Sequence, residues 1–147
     1  MNITKTTESD VIPIKELVES LTRFYSNDPT KRLPAWFLNS ISEQEIINRI
    51  VSAEFYNLSY KIDGNLVGYI AIKNNYQLYN LFVSEHHHRC GIAKKLWLAA
   101  KEATASKKYF LRSSIYAIPV YERFGFSRVG GPTEKDGIQF QLMEYGE

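Results

Sequence analysis

The run Leu81-Phe82-Val83-Ser84-Glu85-His86-His87-His88-Arg89-Cys90-Gly91-Ile92-Ala93-Lys94-Lys95-Leu96 carries an apolar strand through a polar, glycine-containing turn directly into an amphipathic helix. Few segments constrain a chain more, because strand end and helix start must then share one small space. The first turn of a helix has backbone N–H groups without intrahelical partners and carries the positive end of the macrodipole, so this junction is an anion cradle suited to phosphate. Gly91 and Ala93 let such a group come close, and His88 and Arg89 add donors for charge-assisted bonds.

Upstream, residues 1 to 7 alternate as a first strand, and Ser9-Asp10 cap a helix that places Val11, Ile14, Leu17, Val18 and Leu21 on one face. Ser26-Asn27-Asp28-Pro29-Thr30 breaks that pattern, and Lys31 to Ser40 reads as irregular, though Leu33, Trp36, Phe37 and Leu38 are too apolar for a passive loop. Ser42-Glu43-Gln44-Glu45 begins a short helix with Ile46, Ile47 and Ile50 inward. Tyr56 to Ile62, Leu66 to Lys73 and Tyr76 to Val83 are three antiparallel strands joined by turns at Asp63-Gly64-Asn65 and Asn74-Asn75. The main helix spans about residues 91 to 106. Beyond that crossover, Lys108 to Arg112 is expected parallel to the fourth strand. A short helix at Ala117 to Phe124, a strand from about Phe126 and a last strand from about Ile138 complete an α+β fold in one domain, residues 1–147.

Composition narrows the function. A hydrophobic fraction of 44% and 14% aromatic residues in 147 support a real core. The net charge of +2, with Lys and Arg dispersed, lacks the footprint of a nucleic-acid binder. No apolar run is long enough to span a bilayer, no secretory leader pattern opens the chain, and the single cysteine forms no intrachain disulfide, so the expected location is cytoplasmic. The neighbouring His86, His87, His88 and Cys90 point different ways on a turning segment and lack a second ligand cluster, which favours solvated loop residues over a metal site.

The cradle resembles motif A of the GNAT superfamily (GCN5-related N-acetyltransferases): Gln or Arg, two residues, Gly, one residue, then Gly or Ala. Gly91 and Ala93 fit; His88 departs from the Gln/Arg position. Downstream, Ser113-Ser114-Ile115-Tyr116-Ala117-Ile118-Pro119-Val120-Tyr121-Glu122-Arg123-Phe124-Gly125-Phe126 resembles the superfamily's Ala-x-x-x-Tyr-x-x-x-Gly-Phe segment, and a weaker likeness runs from Gly137 to Tyr145. The resemblance covers roughly residues 57 to 145.

It implies a GNAT fold: a mixed, mostly antiparallel twisted sheet of about seven strands flanked by about four helices and splayed between the fourth and fifth strands. It further implies transfer of an acetyl group from acetyl-CoA to a primary amine by direct attack in a ternary complex, with no metal. Main-chain N–H groups of Arg89, Cys90, Gly91, Ile92, Ala93 and Lys94 would hold the pyrophosphate. The backbone of Phe82 and Val83 would pair with pantetheine as an added strand. Ser114 stands where relatives carry an Asn, and Tyr121 where they carry the phenol that protonates the leaving sulfur. Gly125-Phe126 reads as the helix-to-strand transition that orients Tyr121.

Trp36 and Phe37 stand where relatives build one wall of the acceptor site. On the fourth strand, where several relatives use a carboxylate base, the aligned position is Gln77, which cannot accept a proton at neutral pH, leaving Tyr79 and Glu85 as relay candidates and the base unassigned. The acceptor, a small-molecule, peptide or protein amine, is not readable. Rival readings are transfer of a larger acyl group and a CoA-sensing or interaction module without turnover. Phe140 and Leu142 offer apolar material for a homodimer.

Overall fold

The computed structural model describes residues 2–24 and 33–146. Its eight strands are β1 (Ile3–Lys5), β2 (Phe55–Ile62), β3 (Asn65–Lys73), β4 (Gln77–Val83), β5 (Lys108–Ser114), β6 (Ser127–Arg128), β7 (Thr133–Lys135) and β8 (Ile138–Gly146). They form one sheet in the order β1-β2-β3-β4-β5-β8-β6, with β7 also paired to β8. Only β4 and β5 run parallel, as the helical crossover between them demands. Left-handed backbone at Asp63 and Gly64, and at Asn74 and Asn75, turns the chain tightly between β2, β3 and β4.

Among the described residues five α-helices flank the sheet: α1 (Val11–Ser20), α2 (Ala35–Ser40), α3 (Glu43–Val51), α4 (Ile92–Thr104) and α5 (Ile118–Phe124). Helix α1 buries Val11, Ile14, Leu17 and Val18 as the spacing predicts, with Leu21 buried just beyond it. Its entry differs from the expected Ser9-Asp10 cap. A short 3₁₀ turn, Glu8–Asp10, precedes the helix, and the Thr7 N–H donates to the Asp10 carboxylate at 3.0 Å. In α3 the Ser42 hydroxyl accepts from the Glu45 N–H, Ile46 is buried, and Ile47 and Ile50 are half-buried. Arg49, on the same helix, is only 4% exposed.

Two elements exceed the expected seven strands and four helices. Helix α2 occupies part of the segment read as irregular: Pro34 takes an extended backbone, and its carbonyl accepts from the Phe37 and Leu38 N–H groups to start a turn. Strand β7 forms a hairpin with β8 through Asp136 and Gly137, both left-handed. The expected break at Ser26 to Thr30 lies outside the described residues.

The sheet separates two cores. On one face Leu58, Ile70, Ile72, Leu78, Leu111 and Met143 meet Leu96 and Trp97 of α4 and Ile118 and Tyr121 of α5. On the other, Tyr69, Ala71 and Phe82 meet α1 and Ile46 of α3. Helix α4 can lie so close because β3 has Gly68 beneath it: a Cβ there would stand 3.0 Å from Leu96 Cδ1 and 3.1 Å from Ile92 Cγ2. Gly68→Ala should therefore push the start of α4 away from the sheet. A destabilisation of about 1–3 kcal/mol is expected from overpacking, measured by urea unfolding; an unchanged midpoint would mean that the helix yields freely.

Candidate active site

A single extra residue on β4 creates the site. Ala71 pairs with Asn80 but the next β3 residue, Ile72, pairs with Leu78, so Tyr79 is bulged out. Pairing of β4 with β5 is confined to Gln77 and Phe110, where the Phe110 N–H donates to Tyr76 O. Past that point the strands diverge, as expected between the fourth and fifth.

The ladder then dictates which backbone groups face the opening. The Ser84 N–H donates to Val67 O, so Gly68 and Val83 are a non-hydrogen-bonded pair, as are Ile70 and Leu81 two residues away. Main-chain groups of Val83 and Leu81 point away from β3 into the split. Those of Phe82 are directed at β3. The pair expected to face the opening, Phe82 and Val83, is thus corrected to Leu81 and Val83.

At the end of β4 a 3₁₀ turn, Glu85–His87, leads to Arg89 and Gly91, both in left-handed backbone. The first bond of α4 is donated by the Lys95 N–H to Gly91 O, so the N–H groups of Gly91, Ile92, Ala93 and Lys94 precede the helical ladder and make the cradle. His88 does not aim at it as expected. Its Nε2–H donates to Val83 O at 2.8 Å, turning the ring back onto the strand end. Cys90 is exposed, its thiol 3.8 Å from His88 O. Among the described residues no group of three His, Cys, Asp or Glu side chains converges.

The split and the cradle open into one cleft of about 1020 Å³. Leu81, Phe82, Val83 and His88 line one wall, Ser114, Ala117, Val120 and Tyr121 the other, and Arg89, Gly91, Ile92, Ala93 and Lys94 the cradle end. Ser114 Oγ accepts from the Ala117 N–H at 3.3 Å and still has its own proton to donate. Arg123 also lines the cleft, and among the described residues its guanidinium joins no ion pair. No motif marked it, because its relevance depends on how α5 is laid across β5. Phe24 and Tyr116 stack at 4.4 Å between ring centroids, linking the end of α1 to the β5–α5 loop across the same cleft.

Tyr121 is held by the end of its own helix. The Phe126 N–H donates to Tyr121 O and the Gly125 N–H to Glu122 O, a Schellman closure around left-handed Gly125. The Tyr121 ring meets Phe124 and Phe126 edge-on, each at 6.0 Å. Burial pushes the phenol well above its ordinary pKa of 10. A phenol so placed keeps its proton and can only give it to a stronger base arriving in the cleft.

The residues expected on the acceptor side separate into three places. Tyr79 is 38% exposed at the bulge, its ring edge-on to Phe55 at 5.3 Å, and Gln77 holds the single bridge to β5. Trp36 and Phe37 lie on α2; the Trp36 indole donates to Asp136 Oδ2 at 2.8 Å, and Lys135 Nζ stands 4.7 Å from its ring. The β7–β8 hairpin thus braces α2. Glu85 lies just beyond the end of β4, at the strand end as expected, ion-paired with Arg23.

A family model described as acetyltransferase (GNAT) domain matches residues 23–146. No curated protein sequence matches the chain. The fold is similar to the PaiA N-acetyltransferase of Thermoplasma acidophilum, solved with coenzyme A, at 21% identity and a TM-score of 0.76, covering 99% of this chain and 98% of that one. It is also similar to a GCN5-related N-acetyltransferase of Rhodopseudomonas palustris, at 15% identity and a TM-score of 0.78 over 99% and 94% of the two chains. The ribosomal-protein-S18-alanine N-acetyltransferase of Escherichia coli shares 14% identity at a TM-score of 0.71 over 97% and 91%.

Proposed function

Because the chain belongs to the acetyltransferase (GNAT) domain family, we propose that it transfers an acetyl group from acetyl-CoA to a primary amine by direct attack, with Tyr121 as general acid. The observation that carries this reading is the continuity of one cleft from an N-terminal helix cradle to a buried, protonated phenol. Its residues suit an extended, phosphorylated thioester. N–H groups at the start of α4 receive the pyrophosphate, with Arg89 and Lys94 beside them. The open backbone of Leu81 and Val83 pairs with the amides of the pantetheine arm, as an added strand would.

Val83 O then accepts from His88 as well as from the arm, and its two lone pairs allow both. His88 acts here as a brace for the strand end, and the positive charge of the missing Gln/Arg position comes from Arg89, Lys94 and Arg123. In the reaction the neutral amine nitrogen forms a bond to the thioester carbonyl carbon, the C–S bond breaks, and Tyr121 protonates the departing thiolate. The proton lost by nitrogen leaves through water. A cytoplasmic setting accords with a single exposed thiol.

Calorimetric titration with free CoA tests the donor site directly. Arg123→Ala is expected to weaken CoA about tenfold, the scale of one charge-assisted phosphate contact. The loss should shrink as salt rises. Absence of CoA binding by the wild type would remove the donor-site assignment, and an unchanged affinity for the variant would remove Arg123 from it.

A further inference from the structure

Two cations converge on Tyr79, and among the described residues neither is ion-paired with a carboxylate. The Arg49 guanidinium, carried by α3, lies 5.5 Å from the Tyr79 ring, and Lys73 Nζ, at the end of β3, lies 5.8 Å from it. Arg49 is 4% exposed. Its Nη1 donates to Ser40 O at 3.0 Å and the guanidinium also meets the Tyr69 hydroxyl, while its buried Nε has no partner among the described residues. Neither cation takes part in an ion pair among the described residues. A buried cation without a counter-charge is expensive and projects its field further than a solvated one.

The placement gives this field a use. Tyr79 is the bulged residue of β4, immediately before the point where Leu81 turns its backbone into the split. Its side chain lies with the second core's periphery at Phe55, on the sheet face opposite Tyr121 and α4. A group approaching the thioester from that face passes the Tyr79 ring and both cations. Resting on the transferase reading above, we infer that the acceptor is a small primary amine that carries its own carboxylate, held near Tyr79 by the field of Arg49 and Lys73. A polycationic amine meets repulsion at the same place. The two charges also disfavour the ammonium form of an incoming amine, on a strand whose Gln77 cannot take up a proton.

The test compares α-amino acids with their carboxamides, which differ only in the carboxylate, and includes 1,4-diaminobutane as a dication. Thiol release from acetyl-CoA is followed for wild type and Lys73→Glu, with CoA affinity measured calorimetrically on both. Lys73 is chosen because Arg49 ties α3 to the end of α2 and its loss risks the fold. At least one amino acid should exceed its amide by about tenfold or more in kcat/KM, the scale of a charge-assisted contact. In Lys73→Glu that ratio should collapse, mainly through KM, while CoA affinity stays. Equal or better use of amides or of the diamine would overturn the inference, as would a ratio unmoved by Lys73→Glu. Retained CoA binding with none of these amines consumed would also overturn it, leaving the donor site standing. Loss of CoA binding in the wild type would remove the transferase reading and this inference together.

Discussion

Tyr121→Phe should bind CoA as tightly as the wild type and transfer the acetyl group about 10²- to 10⁴-fold more slowly, the range expected when a positioned general acid is removed. The substitution keeps the ring among Phe124 and Phe126 and deletes one hydroxyl. Its effect therefore belongs to proton transfer and leaves packing alone. The pH dependence sharpens the test. Burial raises the phenol's pKa, so the protonated, active form persists through and above pH 10. Wild-type kcat should rise with pH as the amine is freed of its proton, with no alkaline fall caused by Tyr121 below that point. Thiol release followed from pH 6 to 10 with a turned-over acceptor would show both effects. A variant with wild-type turnover would transfer the acid's role to another donor, with the Ser114 hydroxyl next in line.

Local patterns made most of the fold legible. Alternating apolar residues and the Asp63-Gly64 and Asn74-Asn75 turns mark β2, β3 and β4, and the spacing of Ile14, Leu17 and Val18 marks the buried face of α1. What escaped depends on contacts distant in sequence. Helix α2 gains its brace from Asp136, a hundred residues away, and nothing in Ala35 to Ser40 announces that partner. Which of Leu81, Phe82 and Val83 opens its backbone to the split depends on the phase of a ladder with β3, which a one-residue shift would invert. The cradle was readable because glycine and helix start are local signals. Arg123 and the cations around Tyr79 were not, since only the packing of α5 on β5 and of α3 on β2, and the pairing of β3 with β4, bring them to their sites.

Trp97→Ala should be the most destabilising single change outside the site, costing about 3–5 kcal/mol as large aromatic truncations in cores do. Trp97 is 1% exposed on α4, and its ring meets Tyr109 at 5.0 Å, Phe126 at 5.3 Å, Tyr145 at 5.7 Å and Phe124 at 6.4 Å. These partners come from β5, the α5–β6 junction and β8, so one side chain joins the helix to the half of the sheet beyond the split. Natural domains of this size have a net stability of only about 5–15 kcal/mol, and the loss is a large part of it. A melting point lower by roughly 10 °C is expected, at about 2–4 °C per kcal/mol. Trp97→Phe, which keeps an aromatic body, should recover much of that. The consequence for function follows from Phe124 and Phe126, which also hold the Tyr121 ring. Below its melting point Trp97→Ala should retain CoA affinity, since the cradle N–H groups of Gly91 to Lys94 precede Trp97 and take no part in its ring contacts, and lose turnover as Tyr121 loosens. Equal loss of affinity and turnover would instead mean that α4 shifts as a whole, and that the cradle and the acid depend on one packing contact.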